Sequence, residues 1–187
     1  MPIHSYVVLL AFTVSGMVLL VRAIPLKQSG ADLLGVPTID AFYFYSGKIA
    51  IFTSWGLFIL KAIFPNLGYV IVPDSLSWIA TGMLWLGTIS ISLAFYHLGR
   101  SLKVGLPIGE TMLMTGGVYR ISRNPIYTSV HLIAVASCLY FPDLINISFT
   151  LYGILIHHKI IRSDELFLSR RFGKDWEIYR ERVRRYI

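Results

Sequence analysis

Three long apolar stretches are the feature that most constrains the fold of this chain. They cover residues 3–21, 39–64 and 76–98, and each approaches or exceeds the roughly 20 apolar residues that a helix needs to cross a membrane. The whole chain is 55% hydrophobic and only 14% charged, with a mean hydropathy of +0.64. A soluble domain of this size cannot bury so much apolar surface. The sequence therefore predicts an integral membrane protein.

Two shorter apolar stretches follow, residues 126–141 and 144–161, with only Pro142 and Asp143 between them. So short a break predicts a helical hairpin whose second arm continues into water. The predicted fold class is all-α. We expect an integral membrane bundle of about five transmembrane helices, with a C-terminal helical hairpin and an amphipathic interfacial tail helix.

The domain organisation is expected to be simple, because the sequence has no linker, low-complexity tract or evident internal repeat. We expect a single membrane-embedded domain over residues 1–187. Residues 1–98 would hold three N-terminal spans, and residues 99–187 a ligand-binding loop, the hairpin and a basic tail. The first stretch lacks the basic start and small-residue cleavage site of a signal peptide, so it is expected to be retained.

The placement of Lys and Arg predicts the orientation. The first and third connections between the spans and the C-terminal tail are rich in these residues, whereas the connections on the opposite side of the membrane hold only Lys61. By the positive-inside rule the N-terminus lies outside, and the C-terminus lies in the cytoplasm. The net charge of +7 is then mostly a matter of topology, and nucleic acid is not expected as a partner. The cations on the predicted cytoplasmic side are Arg22, Lys27, Arg100, Lys103, Arg120, Arg123 and those of the tail.

Two polar segments are predicted to meet at one membrane face. The loop GGVYRISRNPIY at residues 116–127 precedes the hairpin, and the tail SDELFLSRRFGKDWEIYRERV at residues 163–183 follows it. Because a hairpin returns the chain to the side that it left, residues 123–127 should lie beside residues 162–165. This convergence is the candidate active site.

Asn124 precedes Pro125, and a residue before proline is extended whereas proline is accepted at the first helical position. Asn124 is therefore the expected N-cap of the fourth helix. Its N-terminal N–H groups suit a carboxylate or phosphate, although an ordinary cap that binds nothing is the alternative. Arg123 and Tyr127 either belong to the membrane edge or contact the same ligand.

His158, Arg162 and Glu165 share one face of the emerging fifth helix. They either form a solvated ion-pair helix, in which Arg162 pairs with Glu165, or belong to the site. His97 likewise is either an interfacial residue or a part of the site. His4, His131 and Cys138 have no partners at metal-ligand spacing, so no metal is expected.

The tail carries an apolar stripe after Gly173 against a basic face, which predicts an interfacial amphipathic helix. The helix would either cover the site or anchor it to anionic lipid. Earlier in the chain, Ser46, Ala50 and Ser54 form a stripe of small residues that favours helix packing over a channel. The apolar stripe of the tail consists of Phe172, Trp176, Tyr179, Val183 and Tyr186.

At these residues the sequence resembles the isoprenylcysteine carboxyl methyltransferase family and the related integral membrane phospholipid methyltransferases. The family pattern is a glycine turn, an R-H-P-x-Y motif, a helical hairpin, an acidic pair and an F-G-x-x-Y or W motif. Asn124 stands where the pattern has His, and Asp164 where it has the first Glu. An amide cannot titrate, so Asn124 is expected to bind or cap and not to transfer a proton. The matching residues are Gly117, Tyr119, Arg123, Asn124, Pro125, Tyr127, Asp164, Glu165, Phe172, Gly173, Trp176, Tyr179 and Val183.

The resemblance implies S-adenosyl-L-methionine as the cofactor and a lipophilic substrate, prenylated or a phospholipid, that enters from the bilayer. It implies a catalytic group of Arg162, Asp164 and Glu165, in which Arg162 or Lys159 places an acceptor carboxylate. The expected cofactor-binding residues are His97, Met112, Leu113, Met114, Tyr119, Arg123, Asn124, Pro125, Tyr127 and Glu165.

Carboxyl O-methylation of an isoprenylcysteine-like lipid is the activity that we expect from the resemblance. N-methylation of a phospholipid or another lipophilic amine is the alternative, with Asp164 or Glu165 as base. An NADPH-dependent membrane reductase of the sterol type and a non-enzymatic transporter or scaffold are the other classes. A transporter predicts polar residues at mid-membrane, where the sequence offers only Lys48 and His131.

Overall fold

The computed structural model describes residues 1–28, 37–98 and 113–187, and the regular elements in these ranges are all helical. A 3-10 turn, Gly117–Arg120, precedes the hairpin. The α-helices of the described ranges, in chain order, are α1 Ile3–Gln28, α2 Ala41–Ile63, α3 Asp74–Leu98, α4 Pro125–Tyr140, α5 Leu144–Phe172 and α6 Lys174–Arg182.

Four of these helices, α1, α2, α3 and α5, are long and apolar enough to cross a membrane, and α4 is a shorter apolar helix of 16 residues. Helix α3 packs mainly against α4, and α2 packs mainly against α5. The predicted all-α membrane bundle of about five helices is confirmed.

The predicted hairpin joins α4 to α5 through a short turn that buried polar groups hold in place. The Asp143 carboxylate accepts a hydrogen bond from the Ile145 N–H at 2.9 Å, which caps α5. Asn146 is fully buried, and its Nδ2 donates to the carbonyls of Ser137 at 3.1 Å and Phe141 at 2.9 Å. These carbonyls also accept the backbone N–H groups of Phe141 and Asp143, so Asn146 adds a second donor to each and ties the start of α5 to the end of α4.

Small residues let α2 and α5 approach closely, as their spacing predicts. A Cβ atom at Gly47 would overlap the side chain of Ile156. Ala50 is buried nearby, and the Ser54 hydroxyl lies 2.8 Å from that of Thr150. Close backbone approach with interhelical hydrogen bonds is typical of helix packing in membranes. The helix that carries Asp164 and Glu165 is thereby fixed against α2.

One end of the bundle is closed by contacts between α1, α3 and α4. His4 Nδ1 lies 2.8 Å from the Tyr140 hydroxyl, and His4 Nε2 lies 3.3 Å from Asp74 Oδ1. Lys61 Nζ donates to the carbonyls of Pro65 and Leu67. The residues of the candidate site lie at the other end, where α4 begins.

Candidate active site

The unequal lengths of α4 and α5 position the site. α4 begins at Pro125, whereas the antiparallel α5 continues through 29 residues to Phe172. The last part of α5 therefore extends past the start of α4. Asp164 and Glu165 lie on this extension, level with the loop that carries Arg123 and Asn124.

The Glu165 carboxylate is the centre of the site. Its Oε1 accepts hydrogen bonds from Asn124 Nδ2 at 3.0 Å and Arg123 Nε at 3.2 Å. Its Oε2 accepts from Arg185 Nε at 3.0 Å and Arg185 Nη2 at 2.8 Å. The Glu165 side chain is only 9% exposed. A buried carboxylate requires such partners, because an unpaired charge away from water is costly.

Arg123 ties the loop to the tail. Besides Glu165, its guanidinium donates through Nη1 to the carbonyls of Arg180 at 2.9 Å and Val183 at 3.2 Å. Its backbone N–H donates to the Arg184 carbonyl at 3.0 Å, and its Cζ lies 5.7 Å from the centre of the Trp176 ring. Arg123 is thus held at a fixed position by both polar and aromatic contacts.

Asn124 occupies the predicted N-cap position, but its side chain does not cap α4. Its Nδ2 instead donates to Glu165 and to the Arg185 carbonyl, the latter at 3.3 Å. Its backbone carbonyl accepts the N–H of Thr128 at 2.9 Å. The expectation of a capping side chain is therefore wrong, because the buried carboxylate attracts the amide more strongly than the helix end does. Pro125 is buried at the first helical position, as predicted.

Asp164 contacts Tyr127, the last residue of the R-N-P-x-Y motif at residues 123–127. The Tyr127 hydroxyl donates to Asp164 Oδ2 at 3.2 Å. The Tyr127 ring packs on that of His157, with 5.7 Å between ring centres, and His131 lies 6.0 Å from His157. Within the described ranges, no group of three His, Cys, Asp or Glu side chains is placed to share a metal ion.

The tail packs onto the protein. Helix α6 is only nine residues long. Trp176 and Tyr179 of this helix, together with Val183 just after it, are buried against Leu113 and Leu168. The tail therefore packs over the loop that carries Arg123.

His97 and the glycine turn are in close contact. Gly117 has a φ of +59°, and a Cβ atom at this position would overlap the imidazole ring of His97. His97 Nδ1 lies 2.8 Å from the carbonyl of Leu93. Leu113 contacts the tail cluster, and Met114 is half-buried. Met112 lies outside the described residues.

Arg162 does not form the ion pair with Glu165 that one of the sequence-based alternatives predicts. Its side chain is exposed, and Glu165 pairs with Arg123 and Arg185, so the alternative of an Arg162–Glu165 ion pair is wrong. Arg185 was not predicted to belong to the site, because membrane topology accounts for the arginines of the tail as a group. The only feature of the sequence that could have indicated Arg185 is that it lies within a few residues of the aromatic side chains of the tail.

Tyr179 joins the tail to the 3-10 turn. Its hydroxyl donates to the Tyr119 carbonyl at 2.6 Å, and burial raises the pKa of Tyr179 to about 12.

A group whose pKa is higher in the folded state stabilises the protein below its unfolded pKa of about 10 and loses that contribution as pH rises through the folded value. We expect wild type to lose more unfolding free energy than Tyr179→Phe between about pH 10 and pH 12. Parallel loss in both proteins, measured by unfolding in detergent, would contradict this linkage.

The fold and the site define an integral membrane protein with a carboxylate held by two guanidinium groups at one end of its bundle. Residues 76–175, more than half of the chain, match the family model described as phospholipid methyltransferase. The chain therefore belongs to the phospholipid methyltransferase family, and the family resemblance of its sequence is confirmed.

Two rice proteins are similar to part of this chain. Each is named "Probable protein-S-isoprenylcysteine O-methyltransferase", one from Oryza sativa subsp. indica and one from subsp. japonica, and each is 31% identical over 111 residues. The alignment covers 57% of this chain and 58% of each relative. This chain thus matches little more than half the length of these relatives. No solved structure matches it.

Proposed function

We propose that this protein is an S-adenosyl-L-methionine-dependent methyltransferase that O-methylates the carboxylate of an isoprenylcysteine-like lipid. The single observation that carries the proposal is the group formed by Glu165 with Arg123, Asn124 and Arg185, here called the Glu165 cluster. It joins the R-N-P-x-Y motif and the acidic pair in one site at the end of a membrane bundle. The family supports methyl transfer, and the names of the rice relatives support a carboxylate acceptor.

The residues present suit the proposed cofactor. A carboxylate such as Glu165 suits the ammonium group or the ribose hydroxyls, and the guanidinium and amide donors around it suit the cofactor carboxylate. Gly117, whose missing Cβ gives room to His97, lies in the same loop as the buried Tyr119. We propose that Tyr119, Asn124 and Glu165 hold the cofactor, with His97, Met112, Leu113, Met114, Arg123, Pro125 and Tyr127 around it.

When bound, the cofactor supplies a methyl group on a sulfonium sulfur, and its transfer to a carboxylate oxygen leaves a methyl ester and a neutral thioether without a proton transfer. The chain's part in this chemistry is to bind and align the acceptor. A carboxylate is ionised at neutral pH and needs a cation beside it, whereas an amine acceptor needs a base. The site contains two guanidinium groups, which favour the carboxylate.

Cofactor binding is tested with Glu165→Ala. We expect its affinity for S-adenosylhomocysteine, measured by calorimetry on detergent-purified protein, to fall by about 1–3 kcal/mol, because a charged hydrogen-bond partner is removed. Glu181→Ala is the matched control, since Glu181 is exposed on α6. Unchanged affinity in Glu165→Ala would remove this residue from the cofactor site. Binding of NADPH instead of S-adenosylhomocysteine by the wild type would favour the reductase class.

The acceptor class is tested by transfer of a labelled methyl group to a farnesylated cysteine analogue and to phosphatidylethanolamine. For a carboxylate acceptor the rate should stay nearly constant from about pH 6 to pH 9, because the group remains ionised. Transfer to phosphatidylethanolamine alone, with a rate that climbs towards the amine pKa, would establish the N-methyltransferase alternative.

We propose that the site faces the cytoplasm and that the N-terminus lies outside, as the Lys and Arg placement indicates. Single cysteines in place of Tyr69 and Lys174, both exposed, can test this in a Cys138→Ala background. In sealed inside-out vesicles, a membrane-impermeant maleimide should label position 174 and leave position 69 unlabelled. The opposite pattern would invert the topology.

A further inference from the structure

The Glu165 cluster carries an excess of positive charge. Two guanidinium groups, those of Arg123 and Arg185, contact one carboxylate. Asp164, the next acidic group, is not an ion-pair partner of either guanidinium, and its carboxylate accepts the Tyr127 hydroxyl instead. One positive charge at the site therefore remains without an anion inside the cluster.

The two guanidinium groups are not equivalent. The Arg123 side chain is 8% exposed, and its nitrogens are engaged by Glu165 and by two carbonyls of the tail. The Arg185 side chain is 35% exposed. Its Nε and Nη2 both donate to Glu165 Oε2, which leaves Nη1 outside these two bonds. Arg185 is thus the cation through which the excess charge reaches the surface of the site.

The backbone around Arg185 is fixed on both sides. Its carbonyl accepts hydrogen bonds from Ser122 Oγ at 3.2 Å and Asn124 Nδ2 at 3.3 Å. The next residue, Tyr186, has its hydroxyl 2.7 Å from His158 Nδ1 on α5. Such anchoring reduces the conformational entropy that Arg185 would lose on binding a ligand.

We propose that Arg185 is a specificity-determining residue that binds the carboxylate of the methyl acceptor through Nη1 while Nε and Nη2 face Glu165. This inference rests on the proposed carboxyl methylation and assigns to Arg185 the role that the sequence suggested for Arg162 or Lys159. Both of those side chains are exposed, and Lys159 Nζ lies 5.6 Å from the centre of the Tyr43 ring on α2. A guanidinium suits this role because it has five N–H donors, and Glu165 engages only those of Nε and Nη2.

The test compares an acid with its amide. Equilibrium binding of N-acetyl-S-farnesylcysteine and of its carboxamide is measured on purified protein saturated with S-adenosylhomocysteine. The wild type should bind the acid more tightly. In Arg185→Ala the acid-to-amide affinity ratio should fall about tenfold, as expected for the loss of a charge-assisted hydrogen bond. Arg185→Lys should keep part of the ratio, and Arg182→Ala, which removes an exposed tail arginine, should keep all of it.

The ratio separates recognition from structure. If Arg185 only supports Glu165 or the tail, acid and amide lose affinity together, and an unchanged ratio overturns the inference. If Arg185→Ala cannot be purified in folded form, Arg185→Lys decides, because lysine keeps the charge without the fork. If the wild type transfers methyl to the acid but substitution of Arg185 leaves the acid-to-amide affinity ratio unchanged, this inference alone is overturned. A wild type that neither binds nor methylates the acid overturns the proposed function itself.

Discussion

Arg123→Ala is expected to lower the unfolding free energy by about 3 kcal/mol, the scale observed when one partner of a buried ion pair is removed. The substitution takes two hydrogen bonds from Glu165 and leaves the carbonyls of Arg180 and Val183 without their donor. Because Asn124 and Arg185 still contact the carboxylate, we expect a folded protein with a loosened tail. Affinity for S-adenosylhomocysteine should fall more than tenfold.

Arg120→Ala provides the control for this experiment. Arg120 lies in the same loop and carries the same charge, but its side chain is exposed. Surface arginines of this kind contribute little to stability. Unfolding in detergent and calorimetric binding are measured for both variants. Equal losses in the two proteins would show that Arg123 acts through charge alone and not through its contacts.

Gly117→Ala is expected to reduce methyl transfer at least tenfold. Its φ of +59° lies in the left-handed region, which costs a side chain about 1 kcal/mol or more. The new methyl group would also overlap the His97 ring. We expect His97 to be displaced from the site and the buried Tyr119, two residues on, to shift with the turn.

Gly116→Ala is a closely matched control, because Gly116 has a φ of −97° and open space around a Cβ atom. Transfer rate and S-adenosylhomocysteine affinity should be near wild type in this variant. The double variant His97→Ala with Gly117→Ala removes the overlap, so its stability should exceed that of Gly117→Ala alone. Normal transfer by Gly117→Ala would show that neither the turn nor His97 matters to the site.

The large elements of the fold were accessible from the sequence because each depends on a local pattern. Apolar length predicts the spans, and a two-residue polar break predicts the hairpin. The proximity of Asn124 to Glu165 follows from the hairpin and needs no further information. These inferences hold because membrane helices satisfy their own backbone groups and leave few other arrangements.

The hydrogen-bond partners of Glu165 could not be predicted from such local patterns in the sequence. An exposed i,i+3 pair with Arg162 is worth only about 0.5 kcal/mol, so burial against another element easily overrides it. The tail contains several arginines that look alike in sequence. Only the change at Val183 from helix to extended chain turns Arg185 towards the site, and no residue pattern marks that change. The side chain of Asn124 was misjudged because capping is a local rule and Glu165 is a distant competitor.

Helix α5 contains both Asn146, fixed in the hairpin turn, and Glu165, the centre of the site. At 1.5 Å per residue, about 28 Å of rigid helix separate them. A tilt of α5 by about 5° around Asn146 would therefore move Glu165 by about 2.5 Å, well beyond the tolerance of a hydrogen bond. The close packing of α5 against α2 through Gly47 and through Ser54 with Thr150 therefore sets the orientation of the helix on which the contacts of Glu165 depend.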